Sequence, residues 1–239
     1  MSSEKRPISR ELSQLVEKQL RNWEIARTQK PQAPPRAKRP VADFITLSRS
    51  VGLQAYRVAT MLHDKLGWPV FDKAILQAMA GDDEYRKRLY ANMDGRDQGW
   101  LEGFVRGLTV GKYDKDDYFR RLTGTVLSIA RQGHAIFVGR GTHLILPREV
   151  GLRTRLTAPR EYCLESYAEQ KKSPVEDVTR EVKEIEEERE KFVQNHFHAG
   201  LTDQTQYDLI INMESFSTEE VVDMIMSALL IRGKSETPS

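Results

Sequence analysis

Apolar positions along the chain alternate between short strand-like runs and helical spacing. The strand-like runs are FITLS (44–48), WPVF (68–71), AIFV (135–138), LRTRLTA (152–158) and YDLIIN (207–212). Between such runs the apolar residues recur at three- and four-residue steps, as with Val58, Leu62 and Leu66, which is the spacing of one helix face. The first strand, its helix and the second strand follow within about 30 residues, the length of a βαβ unit. The pattern predicts an α/β fold with three layers around a parallel sheet.

The first 40 residues are organised differently. An amphipathic helix is predicted over 8–28, and it is followed by KPQAPPRAKRP (30–40), which holds four prolines and four basic residues. Proline removes amide donors and favours extended backbone, so this segment is interpreted as a linker. Three alternatives stay open for the helix: it packs on its own domain, it docks on another protein, or it belongs to a disordered tail. We expect the main domain over 41–232 to remain stable without 1–40, and a disordered tail over 233–239.

The middle of the chain, 73–123, is predicted to be a helical insertion broken by turns. Glycines recur in it at 95, 99, 103, 107 and 111, and glycine permits turns between short helices. The segment GLTVGK (107–112) is one residue short of a Walker A loop and is followed by KYDKDD (112–117), so it is not interpreted as a phosphate loop.

Charge and composition narrow the functional classes. Lys and Arg total 37 and Asp and Glu total 35, a near-neutral balance that argues against a dedicated nucleic-acid binder. The single cysteine, Cys163, excludes an internal disulfide and fits a reducing cytoplasm. No apolar run approaches the ~20 residues of a membrane span, and the first residues lack an apolar signal core. We therefore expect a cytoplasmic protein that does not cross a membrane.

Candidate chemistry lies where the predicted strands end. In parallel sheets, ligands bind beyond the carboxyl ends of the strands, and Arg49, Asp72 and Arg140 follow three such ends. Arginines beside helix N-termini form phosphate pockets. Each residue also has a simpler interpretation: Asp72 as a helix cap, and Gly139-Arg140-Gly141 as a tight turn. His196 and His198 have no nearby third ligand, so no metal site is predicted.

Several segments in order resemble the cytidylate kinase-like family. The matching segments are ITLSR (45–49), LGWPVFDKAIL (66–76), AIFVGRGTHLIL (135–146), TAPREY (157–162), EIEEERE (184–190) and QYDLIINMESFSTEEVVDMI (206–225). The resemblance implies a P-loop kinase fold that transfers the ATP γ-phosphoryl group to CMP or a related nucleoside monophosphate, with Mg²⁺ accompanying ATP. It also implies that 73–123 binds the monophosphate and that 159–200 forms a lid.

The resemblance further implies roles for individual residues. Arg140 would hold the acceptor phosphate and Arg189 would close over the transferring group, which makes these two the expected catalytic residues. The expected nucleotide-binding residues are Ser48, Arg49, Gly52, Arg57, Asp72, Gly139 and Gly141.

The turn after the first strand departs from the family pattern. The family's turn resembles SREYGSGGREIA, whereas this chain has SRSVGLQAYRVA (48–59), so bulkier residues replace Ser-Gly-Gly and Tyr56 replaces an arginine. At the start of the lid, Cys163 and Ser166 stand where the family tends to carry arginines. Two hypotheses therefore remain: an active nucleoside monophosphate kinase, or a catalytically weak or inactive kinase fold that binds a nucleotide or a partner protein.

Overall fold

The structure is a computed structural model that describes residues 9–29, 41–91, 93, 95–109 and 117–234. The chain divides into two compact units, and each is described by itself. The first unit comprises Met1–Phe44 and Gly67–Val150, and the second comprises Ile45–Leu66 and Gly151–Ser239.

Strands and helices alternate along the described residues, as the apolar pattern predicts. In chain order the elements are α1 (Arg10–Gln29), β1 (Phe44–Arg49), α2 (Ala55–Leu66), β2 (Val70–Phe71), α3 (Lys73–Gly81), α4 (Asp83–Ala91), α5 (Gly95–Thr109), α6 (Asp117–Gln132), β3 (Ala135–Val138), α7 (Thr142–Ile145), β4 (Leu152–Thr157), α8 (Arg160–Lys171), α9 (Val175–Phe197), β5 (Leu209–Asn212) and α10 (Thr218–Lys234). A short 3₁₀ turn, Gln204–Gln206, precedes β5.

The strands form a five-stranded sheet in the order β2-β3-β1-β4-β5. The pairs β2–β3, β1–β4 and β4–β5 are parallel. Parallel neighbours require crossover connections, which the intervening helices supply. The predicted α/β fold with a parallel sheet is therefore confirmed.

In the second unit, the core lies between the sheet and helices α2 and α10. The side chains of Ile45, Leu47 and Leu156 are fully buried in β1 and β4. Helix α10 begins with a capping box formed by Ser217 and Glu220. The Ser217 hydroxyl accepts from the Glu220 amide at 3.2 Å, and the Glu220 carboxylate accepts from the Ser217 amide at 2.9 Å.

In the first unit, helix α1 is part of the core. Trp23 is 1% exposed, and its Nε1 donates to the Ile129 carbonyl at 3.3 Å. Val16 and Leu20 are equally buried, and the Gln19 side chain accepts from the Val70 amide at 3.3 Å. Of the three alternatives for this helix, the structure shows the one in which it packs on its own domain, and this burial argues against the expectation that the main domain is stable without 1–40. A proline-rich linker says nothing about where the apolar face of the preceding helix packs. The linker itself, 30–40, lies outside the described residues.

The regular glycines do not separate short helices. Gly95, Gly99, Gly103 and Gly107 all belong to the single helix α5, so the expectation of turns at these positions is wrong. A four-residue spacing keeps the glycines on one face of a helix, and a Cβ added at any of them meets nothing within 4 Å. Gly111 lies outside the described residues.

The C-terminal helix extends slightly further than predicted. Helix α10 ends at Lys234, so residues 233 and 234, which were expected in a disordered tail, belong to the helix. Residues 235–239 lie outside the described part of the chain. Among the helices that the structure describes, none combines the length and the apolar character needed to cross a bilayer.

Candidate functional site

The turn between β1 and α2 is the centre of the candidate site in the second unit. We call residues 50–54, Ser-Val-Gly-Leu-Gln, the Gly52 turn. Gly52 has φ +91°, a conformation that side chains with a Cβ rarely adopt. A Cβ at this position would lie only 2.1 Å from the Cys163 carbonyl oxygen. Gly52 is therefore required both by its backbone angle and by the close approach of α8.

The amides of the Gly52 turn form a run of unsatisfied donors. In the described part of the chain, the N–H groups of Val51, Gly52, Leu53 and Gln54 donate to no protein acceptor. Val51 is 2% and Leu53 7% exposed. Buried backbone donors need a partner, and consecutive amides before a helix suit an anion. The turn thus retains donors that could bind a phosphate.

Helix α8 holds the Gly52 turn from one side. Ser166 Oγ donates to the Gly52 carbonyl at 2.9 Å, and Gln170 Nε2 donates to the same oxygen at 2.5 Å. Cys163 is buried in α8, and this burial raises the pKa of its thiol. The positions where the resemblance implies arginines are therefore used for packing and for hydrogen bonds to the turn.

Two arginines lie together at the end of β1. Arg189 of α9 donates from Nη1 to the Arg49 carbonyl at 3.1 Å. Burial, and then the positive charge of Arg49, lower the pKa of Arg189 to about 10. The carboxylates of Glu186 and Glu188 offset this shift only in part. Two cations that destabilise each other's charged state form a favourable place for an anion.

Arg57 does not join this arginine pair. Its Nη2 lies 3.2 Å from the Glu219 carboxylate of α10, and both side chains are exposed. Helix α2 directs the residue toward α10, as expected from the rotation of about 100° between successive helix positions. Ser48, also expected at the site, is buried in β1 and lies in register with Arg155 of β4.

The remaining expected residues belong to the first unit. Asp72 caps α3, because its carboxylate accepts from the Ile75 amide at 2.9 Å. Gly139, Arg140 and Gly141 follow β3 with φ of 78°, 56° and 64°. A left-handed residue with a side chain costs about 1–2 kcal/mol and is found at functional sites more often than elsewhere. Of these residues, Arg140 carries the stronger signal for function.

Sequence reasoning missed Gln170 and Arg155. Gln170 belongs to no motif, and only the tertiary structure brings it to Gly52. Arg155 is 9% exposed and donates to the Leu201 carbonyl at 2.9 Å, and its guanidinium lies over the Tyr207 ring. Two arginines inside one short strand, LRTRLT, were the available signal for Arg155.

The donor set of the Gly52 turn does not suit a resident metal. Within the described ranges, no three His, Cys, Asp or Glu side chains gather as a metal site would require. The turn contains no carboxylate, and Ala55 and Tyr56 open α2 where a phosphate loop would place a serine or threonine for Mg²⁺.

Comparison with solved structures supports the fold. A crystal structure of an uncharacterized protein from Eubacterium ventriosum ATCC 27560 aligns with a TM-score of 0.63 at 15% identity, covering 78% of this chain and 97% of that chain. A crystal structure of a gluconokinase from Sinorhizobium meliloti 1021 aligns with a TM-score of 0.41 at 10% identity, covering 83% of this chain and 97% of that chain.

Comparison with protein sequences identifies the family. A search of curated proteins gave no significant match. A sequence model of the cytidylate kinase-like family matches residues 44–215, which span most of the chain. The match includes the Gly52 turn, the Gly139-Arg140-Gly141 turn and helices α8 and α9. On this ground the chain belongs to the cytidylate kinase-like family.

Proposed function

We propose that this protein binds the phosphates of a nucleotide at the Gly52 turn and transfers a phosphoryl group weakly or not at all. The observation that carries the proposal is the contact between α8 and the turn. Ser166 and Gln170 donate hydrogen bonds to the Gly52 carbonyl, and Gly52 itself lies against the α8 backbone.

Three features support anion binding at this turn. Four consecutive amides lack protein acceptors within the described residues. Arg49 and Arg189 lie beside the turn, and the lowered pKa of Arg189 reflects partly buried positive charge. A phosphate would satisfy the amides and offset the repulsion between the two guanidinium groups.

Other features argue against efficient transfer. Phosphoryl transfer depends almost entirely on positioning and on neutralising the charge of the transferring group. The turn has no lysine, Arg57 is paired with Glu219, and Cys163 and Ser166 add no charge at α8. The phosphate that binds here would therefore meet fewer cations than the reaction requires.

An active nucleoside monophosphate kinase is the second candidate. It is favoured by the left-handed Arg140 between two glycines, an unusual conformation that would suit an acceptor-phosphate site. In that case CMP or a related monophosphate would be the acceptor. Mg²⁺ would then be bound mainly by ATP phosphates and water, as is common for this ion.

The experiment is a direct measurement of turnover and binding. Purified protein is incubated with Mg-ATP and each nucleoside monophosphate, and the nucleoside diphosphate formed is quantified. We expect turnover far below the 1–100 s⁻¹ typical of kinases, at about 0.01 s⁻¹ or less. Turnover within that typical range would overturn the proposal in favour of the second candidate.

Calorimetry with Arg189→Gln tests the anion site separately. Loss of one charged hydrogen bond is expected to weaken ATP binding by about tenfold or more. Arg160→Gln is the matched control, because Arg160 is an exposed lid-region arginine that pairs with Glu186 at 3.1 Å. This control should change the affinity less than about twofold, as exposed ion pairs contribute little.

A further inference from the structure

We propose that Arg155 and Glu190 are positioning residues that hold Arg189 at the anion site. They do so by bonding to the backbone of Leu201, and neither needs to contact the nucleotide. The inference rests on the proposed function and concerns how the second unit keeps a buried cation beside the Gly52 turn.

Three side chains from different parts of the second unit converge on the backbone of Leu201. The Leu201 amide donates to Glu190 Oε2 of α9 at 3.2 Å. The Leu201 carbonyl accepts from Arg155 Nη1 of β4 at 2.9 Å and from the Tyr207 hydroxyl at 3.0 Å. Both backbone polar groups of one residue are therefore held by side chains. We call Arg155, Glu190, Leu201 and Tyr207 the Leu201 clamp.

Arg155 is a costly residue for this position. It is 9% exposed, and in the described part of the chain no carboxylate pairs with its guanidinium. Its contacts there are the Leu201 carbonyl and the hydroxyl and ring of Tyr207. Burial of a charge without a counter-charge is unfavourable. Departures of this kind from stable packing are expected where a function requires the residue.

The clamp and the arginine pair attach one stretch of α9 to two neighbouring strands. Glu190 directly follows Arg189 in α9, and Arg189 Nη1 donates to the Arg49 carbonyl at the end of β1. Glu190 is connected through Leu201 to β4. Strands β1 and β4 are paired, and Arg155 lies in register with the residue before Arg49. The position of Arg189 thus depends on both attachments.

Arg189 needs such support because its own environment is unfavourable for its charge. Burial and the positive charge of Arg49 both disfavour the charged guanidinium. Without the clamp, this stretch of α9 would keep the bond from Arg189 to the Arg49 carbonyl, and the side chain should move toward water. A phosphate at the Gly52 turn would then lose a donor that is already in place before binding.

Calorimetry with Mg-ATP tests the clamp in Glu190→Ala and Glu190→Gln, each also in the Arg189→Gln background. Glutamine keeps an oxygen that can accept from the Leu201 amide, whereas alanine does not. We expect Glu190→Ala to weaken ATP binding by about fivefold, and Glu190→Gln to restore it to within about twofold of the parent. In the Arg189→Gln background, Glu190→Ala should change the affinity by less than about twofold, because the two residues act together.

The direction of the effect separates positioning from a simple effect of charge. Removal of the Glu190 charge alone would tighten the binding of an anion, and it would do so for both substitutions. Glu187→Ala is the matched control, because its carboxylate lies in the same helix and pairs with Lys183 and Lys191 at the surface. This control should not weaken ATP binding.

Arg155→Met tests the clamp from the strand. Methionine keeps an unbranched stem but donates no hydrogen bond, so ATP binding should weaken by about fivefold, and only where Arg189 is present. Tyr207→Phe removes one of the two donors to the Leu201 carbonyl and should have a smaller effect. If Arg155→Met fails to fold, the Glu190 variants decide the matter by the same measurements.

Unchanged or tighter ATP binding by Glu190→Ala would overturn the inference, and so would a loss that persists in the Arg189→Gln background. Both results would leave the proposed function intact. Failure of the parent protein to bind either Mg-ATP or inorganic pyrophosphate would instead overturn the proposed function. Urea unfolding would then decide the role of the clamp. The change in transition midpoint caused by Arg189→Gln should shrink when Glu190 is also replaced by alanine, and an equal change in both backgrounds would overturn the inference.

Discussion

Replacing Gly52 by alanine tests whether α8 rests on the Gly52 turn in solution. The new Cβ would lie 2.1 Å from the Cys163 carbonyl oxygen and 3.0 Å from its carbonyl carbon. Both atoms belong to helix backbone, which cannot rotate away as a flexible side chain would. Either the turn or α8 must therefore shift, and the substitution should destabilise the protein strongly.

Gly67→Ala is a matched control for the free-energy cost of placing alanine in left-handed backbone. Gly67 has φ +68°, close to the φ +91° of Gly52, but a Cβ at Gly67 meets nothing within 4 Å. Left-handed backbone should cost alanine about 1–2 kcal/mol at either position. Overpacking against α8 should add about 1–3 kcal/mol at Gly52 alone. The expected loss is thus about 2–5 kcal/mol for Gly52→Ala and about 1–2 kcal/mol for Gly67→Ala.

Urea unfolding of the parent and both variants measures these losses. Transitions are followed by circular dichroism and tryptophan fluorescence, and the m-values show whether the denatured state has changed. If the two variants lose equal stability within about 0.5 kcal/mol, the contact between Gly52 and α8 is absent in solution. The proposed function would then lose the observation on which it rests.

Three further predictions concern the core, the arginine pair and the turn. Trp23→Ala should lower the free energy of unfolding by about 3–5 kcal/mol, because the side chain is 1% exposed. The control Leu15→Ala, at a position 46% exposed in the same helix, should lower it by under about 1 kcal/mol. Similar losses for the two variants in urea unfolding would contradict the burial of α1. The pKa of Arg189 is lowered from its ordinary value to about 10, so above pH 10 the folded state holds fewer protons than the unfolded state and stability should rise with pH. The parent should therefore gain about 1 kcal/mol relative to Arg189→Gln between pH 9 and 11, and a loss would contradict the depressed pKa. Replacing LQAY at 53–56 by Ser-Gly-Gly-Arg should tighten ATP binding measured by calorimetry, because small residues let an anion approach the amides; weaker binding would show that the existing turn has its own working geometry.

Much of the architecture follows from local sequence patterns. The alternation of apolar runs and helical spacing predicts the strands, most of the helices and the parallel α/β class. The Ser217–Glu220 capping box fixes the start of α10 because both partners lie within one helical turn. Such features depend on neighbours in the sequence, so the sequence is sufficient to predict them.

The candidate site was predictable only in outline. Gly52 and Arg49 stand out because they follow an apolar strand and precede a helix. The pairing of Arg57 with Glu219, 162 residues away in the chain, could not be predicted from the sequence. The helical repeat indicates the direction of the Arg57 side chain relative to its neighbours in α2, but it does not identify the residue that this side chain contacts. Arg140 was predicted at a turn, but its left-handed backbone became known only from the structure.

The sequence by itself determined which segments are strands and helices and which of their faces are apolar, since periodicity is a local property of the chain. Only the tertiary structure decided which surfaces those faces pack against. It placed the Trp23 face of α1 in the core, a choice that the sequence left open among three alternatives. It also brought Ser166 and Gln170 to the Gly52 carbonyl across more than 100 residues of chain. Contacts at such separations depend on how the elements pack together, and no local pattern specifies that packing.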